Sequence, residues 1–379
     1  MTALHRIVSA EDFRALAHRR LPKSVFEFVD GGAGQELTLN ANRSDFEKIR
    51  LLPRVLTDVS RPDLSTSLWS ETLPAPLVIS PMGSCALVRP EADIAIARAA
   101  AARGIPYTLS TMATTSIERM ARAVQGPLWF QLYVLKDFDF NRQLVRRAEE
   151  FGYSTLVVTV DLQVGGKREK DLRNGISIPL RPSPRHLWEA MLHPGWSLRM
   201  LRGGLPRFEN VRGHLGDTST GLTIAARVGS NLHAGFTWDD FRRIRDWWKG
   251  RLLVKGVLHP HDAANLVAAG ADGIWVSNHG GRQLDGAISS IDALPAIHQA
   301  LGARVPIIID SGIRTGMDII KAKARGARAS AIGRAALFGA VAGEVGAAKV
   351  LDIILDEIVT GLKLCGLPCF EQAGPELIV

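Results

Sequence analysis

A short apolar run that leads directly into a glycine-rich polar loop is the part of the chain that decides the fold. Residues 273–276 read GIWV, and residues 277–286 read SNHGGRQLDG. Continuous β-branched and aromatic residues indicate a buried strand. In the loop, His279 can move a proton at neutral pH, and Arg282 can hold a carboxylate with two parallel hydrogen bonds. A polar turn with ordinary glycines explains the same residues equally well.

The pattern of an apolar run that ends in polar residues occurs eight times along the chain. The runs are residues 76–80, 107–110, 129–133, 155–161, 252–256, 273–277, 306–310 and 328–332. Helix-like segments lie between most of them, at residues 91–102, 140–151, 261–269, 317–325 and 345–364. Eight strands that alternate with helices predict an α/β fold, a closed (β/α)8 TIM barrel, with an open doubly wound sheet as the alternative.

Polar side chains occupy the C-terminal ends of these runs. They are Ser80, Ser110, Gln131, Tyr133, Thr159, Asp161, Lys255, Ser277, Asp310 and Arg334. In a barrel all these ends share one face, which is the face that carries active sites. We therefore expect these side chains to converge on one site.

Two stretches depart from the strand–helix repeat, within what we predict to be a single domain over residues 1–379. Residues 9–12, SAED, are typical of a helix start, and residues 25–30 predict a second helix, which gives an N-terminal helical segment. After the fourth strand no repeat is visible over residues 162–251. A long insertion of this kind predicts a lid or a binding element.

The first half of the insertion combines arginines with bulky apolar residues. Residues 181–207 include Trp188 and Trp196, a composition typical of an element that lies at a membrane interface. The alternative is a lid over the substrate site. Residues 216–235 contain few large side chains, which predicts a flexible segment.

Composition limits the class of protein only partly. The formal net charge of +8 suits an anionic substrate, an acidic membrane surface or nucleic acid, but no nucleic-acid motif is visible. Three cysteines without zinc spacing predict a reducing compartment, no disulfide and no metal site. The charged N-terminus does not resemble a signal peptide, and no apolar span is long enough to cross a bilayer. We expect a protein that is cytosolic or attached to a membrane from one side.

The loops after the seventh and eighth strands are candidates for a phosphate site. They read DSGIR over residues 310–314 and IGRA over residues 332–335. Barrels often bind phosphate in these loops, where glycines free backbone N–H groups and arginines supply charge. Two turns with solvent-exposed arginines are the alternative. On the rest of the face, His279 with Asp161 suggests a general base, and Arg168 with Arg282 suggests an anionic substrate.

These motifs together resemble the family of FMN-dependent α-hydroxy-acid oxidising enzymes, and most closely its membrane-bound L-lactate and mandelate dehydrogenases. The resemblance covers nearly the whole chain. Its most specific motif is residues 277–285; further motifs are residues 21–23, 129–133, 159–161, 167–169, 253–256, 310–314 and 332–334.

The resemblance implies a role for each site residue. His279 would be the base, paired with Asp161, while Arg168, Arg282 and Tyr133 would bind the substrate. Lys255 would face the flavin and stabilise its reduced, anionic form. The remaining FMN contacts would come from Pro81, Met82, Gly83, Ser110, Gln131, Thr159, Ser277, Asp310, Gly312, Arg314, Gly333 and Arg334.

Three positions bear on the subclass. Phe28 stands where the family often has a tyrosine that helps to bind the substrate carboxylate. Met82 stands where a smaller residue is commoner. Gly83 resembles the dehydrogenase branch, because oxidases more often carry alanine there.

The resemblance thus implies FMN-dependent oxidation of an L-2-hydroxy acid, lactate-like or mandelate-like, to the 2-keto acid. Electrons would pass to a quinone or another acceptor. The enzyme would be a homotetramer with peripheral contact to the cytoplasmic side of the inner membrane. One alternative is a soluble oxidase that reduces O2 to H2O2. Another is a flavin-binding isomerase or binding protein without net oxidation.

Overall fold

Eight parallel strands close into a barrel in the computed structural model, which describes residues 4–175, 183–204, 206–212, 214 and 229–379. The closed order of strands is β10-β3-β4-β5-β6-β7-β8-β9. These strands are β3 (Leu77–Met82), β4 (Tyr107–Ser110), β5 (Leu128–Tyr133), β6 (Thr155–Thr159), β7 (Arg251–Val257), β8 (Gly273–Val276), β9 (Ile307–Ile309) and β10 (Ala329–Ile332). The predicted (β/α)8 barrel is therefore confirmed, and the open sheet is wrong.

Helices precede the barrel, alternate with its strands and follow the last of them. They are α1 (Ala10–Arg20), α2 (Lys23–Asp30), α3 (Leu37–Lys48), α4 (Ala92–Ala101), α5 (Ile117–Ala123), α6 (Phe138–Glu150), α7 (Glu169–Asn174), α8 (Pro184–Leu192), α9 (Pro194–Gly203), α10 (Trp238–Trp247), α11 (Pro260–Ala268), α12 (Ser290–Leu301), α13 (Gly316–Ala324), α14 (Arg334–Ala340) and α15 (Glu344–Cys365). Short 3-10 turns lie at Leu4–Arg6, Cys85–Leu87, Phe370–Gln372 and Pro375–Leu377. None of the helices described is both long enough and apolar enough to span a bilayer.

Large apolar side chains fill the interior of the barrel and leave the site at one end. Trp129, Val157, Leu253, Trp275 and Ile308 form a buried cluster inside the strands. A hairpin of β1 (Thr66–Leu68) and β2 (Glu71–Leu73), which the sequence did not predict, adds two leucines to that cluster. The hairpin lies at the N-terminal end of the barrel, because Thr66 and Trp69 donate to the carbonyls of Arg328 and Asp272, which directly precede β10 and β8.

The N-terminal segment begins as the sequence predicts. The Ser9 hydroxyl accepts from the Asp12 N–H at 3.1 Å, and the Asp12 carboxylate accepts from the Ser9 N–H at 3.0 Å. This reciprocal pair caps α1. Residues 25–30 lie in α2, as predicted. The third helix, α3, was not predicted, because its hydrophobic residues do not form a continuous apolar stripe.

The range predicted as an insertion contains four described helices, α7 to α10. Helix α10 buries Phe241 and Ile244 and packs against α6, so it occupies the ordinary place of a barrel helix before β7. Most of its residues are charged, so the sequence did not predict this helix. Residues 181 and 182, and residues 216–228 of the segment predicted to be flexible, lie outside the described residues. The domain boundaries remain a prediction.

One expectation about α8 and α9 is wrong. Trp196 does not project outward: it is buried, and its indole N–H donates to the Leu87 carbonyl at 2.8 Å. Glu189 is also buried and accepts from the Ser24 N–H at 3.0 Å. The two helices therefore dock on the body through one face. Trp188 lies on the opposite face with 59% of its surface exposed.

Candidate active site

A cavity opens at the C-terminal ends of the barrel strands, where the sequence places the polar residues. Predicted site residues that line it are Phe28, Pro81, Met82, Gly83, Tyr133, Thr159, Arg168, Lys255, His279, Arg282, Asp310, Gly312, Arg314, Gly333 and Arg334. The remaining four lie behind this lining. Ser110 and Gln131 form a buried chain to Thr159, with bonds of 2.9 and 3.0 Å, while Asp161 and Ser277 support His279 from behind.

His279 lies between a carboxylate and a phenol. Its Nδ1 is 2.9 Å from Asp161 Oδ1, and its Nε2 is 3.1 Å from the Tyr133 hydroxyl. Burial raises the pKa of the Asp161 carboxyl, but the charge and hydrogen bond of His279 outweigh burial and hold that pKa below its usual value. An ionised carboxylate can only accept, so when the imidazole is in its neutral form its hydrogen lies on Nδ1 and Nε2 is the basic nitrogen.

Tyr133 supplies the hydrogen on the cavity side of the imidazole. Burial, and then the charge of Asp161, raise the pKa of the phenol well above its usual value. The hydroxyl therefore stays protonated and donates to Nε2. A base held in one tautomer by groups on both sides is pre-organised to take a proton from a molecule in the cavity.

Lys255 is buried at the floor of the cavity in a compact polar cluster. Its ammonium donates to the Ser277 hydroxyl at 2.6 Å and lies 3.1 Å from the Asp310 carboxylate. The Ser277 hydroxyl also accepts from the His279 N–H at 3.0 Å. One serine therefore links the buried cation to the backbone of the histidine.

Two arginines face the cavity with unused donors. Arg168 Nε is buried without a hydrogen bond, although it lies 3.3 Å from Asp171 Oδ2. Arg282 donates from Nη1 to the carbonyls of Phe28 and Gly31 at 2.8 and 2.9 Å. Burial and the nearby charge of Arg168 lower the pKa of Arg282 to about 10. This environment favours an anion that would neutralise both guanidinium groups.

The Phe28 ring lies against both of these arginines. Its centroid is 5.7 Å from the Arg168 Cζ and 5.3 Å from the Arg282 Cζ. The ring lines the cavity and cannot donate a hydrogen bond. Phe28 therefore belongs to the wall of the site as well as to α2.

A second pair of cations, the buried Arg314 and the partly buried Arg334, lies at the predicted phosphate loops. Arg334 donates only to carbonyls, of Val29, Gly31 and Gly280, and Arg314 Nη1 donates to the Ile313 carbonyl. Burial lowers the pKa of Arg334 to about 9 and that of Arg314 to about 10. Among the residues described, Arg334 forms no ion pair with a carboxylate, and Arg314 has only Glu11, whose carboxylate oxygen lies 3.9 Å from Nε. A doubly charged phosphate fits this donor set, as the terminal phosphate of FMN requires.

Several residues around the cavity were not predicted as site residues. Leu162, Phe208 and Leu232, from the range predicted as an insertion, form part of its apolar wall. Ser311 accepts from the Gly280 N–H at 3.0 Å and donates to Asp310 at 2.8 Å. Ser311 lies inside the predicted phosphate loop, so its position was a usable clue. The three apolar residues look like ordinary core residues in the sequence.

A parallel barrel with two arginines at the predicted phosphate loops and a histidine held by Asp161 and Tyr133 is compatible with a flavin-dependent enzyme, and the comparisons show that class. Residues 17–379 match the family described as FMN-dependent dehydrogenase. An L-lactate dehydrogenase of Ectopseudomonas mendocina is 43% identical over 98% of this chain and 99% of that protein. One from Stenotrophomonas maltophilia is 42% identical over 98% of this chain and 99% of its own length. The chain belongs to the FMN-dependent dehydrogenase family.

Solved structures agree with this assignment. The monotopic membrane protein (S)-mandelate dehydrogenase is 40% identical, with a TM-score of 0.92 and 99% of both chains covered. A mandelate oxidase with (S)-4-hydroxymandelic acid is 32% identical, with a TM-score of 0.85 and 98% of both chains covered. The predictions of an FMN-dependent oxidoreductase and of FMN as its cofactor are confirmed.

Removing the charge of Arg314 should weaken FMN binding. Arg314→Met should raise the dissociation constant for FMN about 10- to 100-fold, because hydrogen bonds to a charged group contribute roughly 1.5–3 kcal/mol. Titration of apo-protein with FMN, followed by flavin fluorescence, measures this. Arg328→Met is the matched control, since Arg328 pairs with Glu371 at the surface. An unchanged constant for Arg314→Met would remove this arginine from the phosphate site.

Proposed function

We propose that this protein oxidises an L-2-hydroxy acid to the 2-keto acid and passes the electrons to a quinone. The observation that carries the proposal is the position of His279 Nε2 beside two cavity-facing arginines. A base and an anion-binding pair in one cavity are what a hydroxy acid requires. The named activities of the relatives, L-lactate and (S)-mandelate dehydrogenase, support the same substrate class.

The chain's own groups would bind the acid and move its proton. Arg168 and Arg282 would hold the carboxylate, and the Tyr133 hydroxyl would turn its hydrogen bond from His279 Nε2 to the substrate, which frees Nε2. His279 Nε2 would take the hydroxyl proton, and the Asp161 carboxylate would stabilise the imidazolium that results. Oxidation to the keto acid also removes the α-hydrogen with two electrons, and bound FMN supplies the acceptor for them.

We infer the FMN contacts from the family resemblance, and the position of most of these residues in the cavity lining supports them. Arg314, Arg334 and the backbone at Gly312 and Gly333 would hold the phosphate. Lys255 would place a positive charge against the flavin, and Asp310 would face the ribityl chain. The loop of Pro81, Met82 and Gly83 would line the other side of the flavin. The isoalloxazine ring or the ribityl chain would be contacted, directly or through a neighbouring side chain, by Thr159, Gln131, Ser110 and Ser277.

The cavity wall favours a substrate with an apolar side chain. Leu162, Phe208 and Leu232 line the cavity, together with Met82 and Phe28. An apolar wall binds a methyl or phenyl group better than it binds water. Lactate or mandelate therefore fits this surface better than glycolate.

Restoring a phenol at position 28 tests the place of Phe28 in the site. Phe28→Tyr should lower the Michaelis constant for small hydroxy acids by about one to two orders of magnitude, because a hydrogen bond to a charged group contributes roughly 1.5–3 kcal/mol. Steady-state kinetics with glycolate, lactate and mandelate measure the effect. Phe28→Leu, which adds no donor, should not lower the constant. Unaltered kinetics for Phe28→Tyr would show that position 28 does not reach the carboxylate.

The electron acceptor is tested separately from the substrate. The relatives include both dehydrogenases and an oxidase, so O2 is the competing acceptor. We expect substrate-reduced enzyme to be reoxidised by a quinone analogue at least ten times faster than by air-saturated buffer. Stoichiometric H2O2 in air at an equal rate would instead make the protein an oxidase.

The outward face of α8 and α9 is a candidate membrane surface. Leu187, Trp188, Met191, Leu192 and Leu201 are all more than half exposed. Arg202, which is also exposed, adds positive charge. A face that combines large apolar and basic side chains suits the interface of an anionic bilayer. We place the protein peripherally on the cytoplasmic side of the inner membrane, as a homotetramer by family resemblance.

Polar substitutions on that face should release the protein from membranes. A Leu187→Ser, Trp188→Ser, Leu201→Ser variant should shift from the pelleted to the supernatant fraction, since each large side chain contributes about 1.5–3 kcal/mol when buried. Flavin reduction by substrate should be retained. Val345→Ser with Leu364→Ser, exposed on α15, is the matched control. A variant that stays pelleted, or that folds but loses flavin reduction, would favour the alternative of a lid.

A further inference from the structure

Helix α3, from the N-terminal segment, packs directly on two loops of the candidate site. A side chain at Gly281 would meet the backbone N and Cα of Leu39 at 2.6 Å. A side chain at Gly312 would collide with the Asn42 carbonyl. One helix therefore contacts both the loop that carries His279 and the loop predicted to hold phosphate.

The loop that carries His279, residues 277–289 and here called the histidine loop, is hydrogen-bonded to the start of the same helix. The Asp285 carboxylate accepts from the N–H groups of Gln35 and Thr38 at 2.7 and 3.0 Å. The Thr38 hydroxyl lies 3.2 and 3.1 Å from the carbonyls of Leu284 and Ala287. These contacts hold the far end of the loop, about six residues after the histidine.

The buried side-chain amides of Asn42 and Asn278 hold the end of the histidine loop that is nearest to β8. Asn42 Nδ2 donates to Asn278 Oδ1 at 2.9 Å, and Asn278 Nδ2 donates to Asn42 Oδ1 at 2.7 Å. Asn278 Oδ1 also accepts from the Gly281 N–H at 3.1 Å, and Nδ2 also donates to the Ile288 carbonyl at 3.2 Å. Every donor and both acceptor positions of the Asn278 amide are in use.

His279 occupies a backbone conformation that needs such support. Its φ is 60°, followed by 67° at Gly280 and 72° at Gly281, so three consecutive residues are left-handed. Glycine adopts this region freely, whereas a histidine there is strained and persists only where its surroundings determine it. Asn278 immediately precedes the histidine and bonds across the turn to Gly281. Its side chain thus fixes the turn on both sides of the histidine.

We propose that Asn42 is a positioning residue that sets the location of His279 through Asn278. Asn42 does not itself line the cavity, and its side chain bonds to Asn278 and not to the imidazole. The inference rests on the proposed function only in treating His279 as the base. Because the Asn42 backbone also abuts Gly312, the same residue couples the histidine loop to the phosphate loop.

Three variants test the proposal in FMN-loaded enzyme. Asn42→Ala removes the amide, and Asn42→Asp keeps the shape but loses donation to Asn278 Oδ1. Asn40→Ala is the matched control, because Asn40 is an exposed asparagine on the same helix. If the alanine variant does not fold, the isosteric aspartate variant still provides the measurement.

The first measurement is amide hydrogen exchange over residues 278–288, which does not depend on turnover. We expect the Asn42 variants to exchange at least about tenfold faster there than wild type and Asn40→Ala. The second measurement is substrate-driven flavin reduction per bound FMN. A misplacement of about 1 Å can cost about 10²-fold in rate, so we expect a 10- to 100-fold lower rate with the Michaelis constant within about threefold.

The outcomes separate positioning from simple stability. Unchanged exchange over residues 278–288 would overturn the proposal, and so would a lower melting temperature with wild-type turnover per flavin. A change in Asn40→Ala as large as in Asn42→Ala would also overturn it. If no 2-hydroxy acid reduces the flavin of the wild-type enzyme, the proposed function fails. The exchange measurement still decides the role of Asn42 in that case.

Discussion

His279→Ala should lower the rate of substrate-driven flavin reduction by about 10²–10⁴-fold, the range for a positioned acid–base group. The variant loses the basic nitrogen that Asp161 and Tyr133 hold toward the cavity. Rapid mixing of oxidised enzyme with substrate under anaerobic conditions measures this step directly. FMN content should stay at the wild-type level, because the imidazole does not contribute to the phosphate loops.

The matched control for this variant is His261→Ala, at an exposed histidine on α11. It should reduce its flavin at the wild-type rate. Near-normal flavin reduction by His279→Ala would show that the base lies elsewhere, and loss of FMN from His279→Ala would show a role in the flavin site.

Asp161→Asn should lower the same rate by roughly 10²–10³-fold, since an amide no longer stabilises the imidazolium and can hold the wrong tautomer. The carboxylate, with only 13% of the side chain exposed, accepts from Nδ1 at 2.9 Å. Anaerobic flavin reduction measures the loss. Asp239→Asn is the control, because Asp239 is 88% exposed. Equal rates for the two variants would contradict a role for Asp161.

The lowered pKa of Asp161 also gives a direction for pH dependence. A carboxyl whose pKa is depressed in the folded protein contributes stability at pH values above its unfolded pKa. That contribution is lost as pH falls through the folded pKa. The free energy of unfolding of Asp161→Asn should therefore approach that of wild type as the pH falls below the usual pKa range of an aspartate side chain.

The strands of the barrel could be predicted because each combines a strong local signal with a regular spacing. Continuous apolar runs such as residues 155–159 and residues 273–276 are buried on both faces, and glycines or polar residues mark their ends. The hairpin at residues 66–73 is too short and too polar to give such a signal. It is stabilised by the barrel cluster that Leu68 and Leu73 join, which only the folded chain defines.

The site residues were predictable for a different reason. Charged and polar side chains at strand ends must meet on one face of a barrel, so the topology alone brought His279, Lys255 and Asp310 together. No local pattern marks Asn42, whose partner is 236 residues away. Trp196 shows the same limit: composition indicated an exposed interface residue, but its bond to the Leu87 carbonyl depends on how α9 docks.

One anaerobic measurement tests the oxidation of an L-2-hydroxy acid by this protein most directly. FMN-loaded enzyme is mixed in separate experiments with the two enantiomers of lactate and of mandelate, and flavin absorbance is followed while the keto acid is quantified. We predict complete bleaching with the L-enantiomer of at least one of these acids, one keto acid formed per flavin, and no bleaching on that timescale with its D-enantiomer. Flavin that stays oxidised with all four compounds, or bleaching without keto acid, would contradict the assignment of an L-2-hydroxy-acid dehydrogenase.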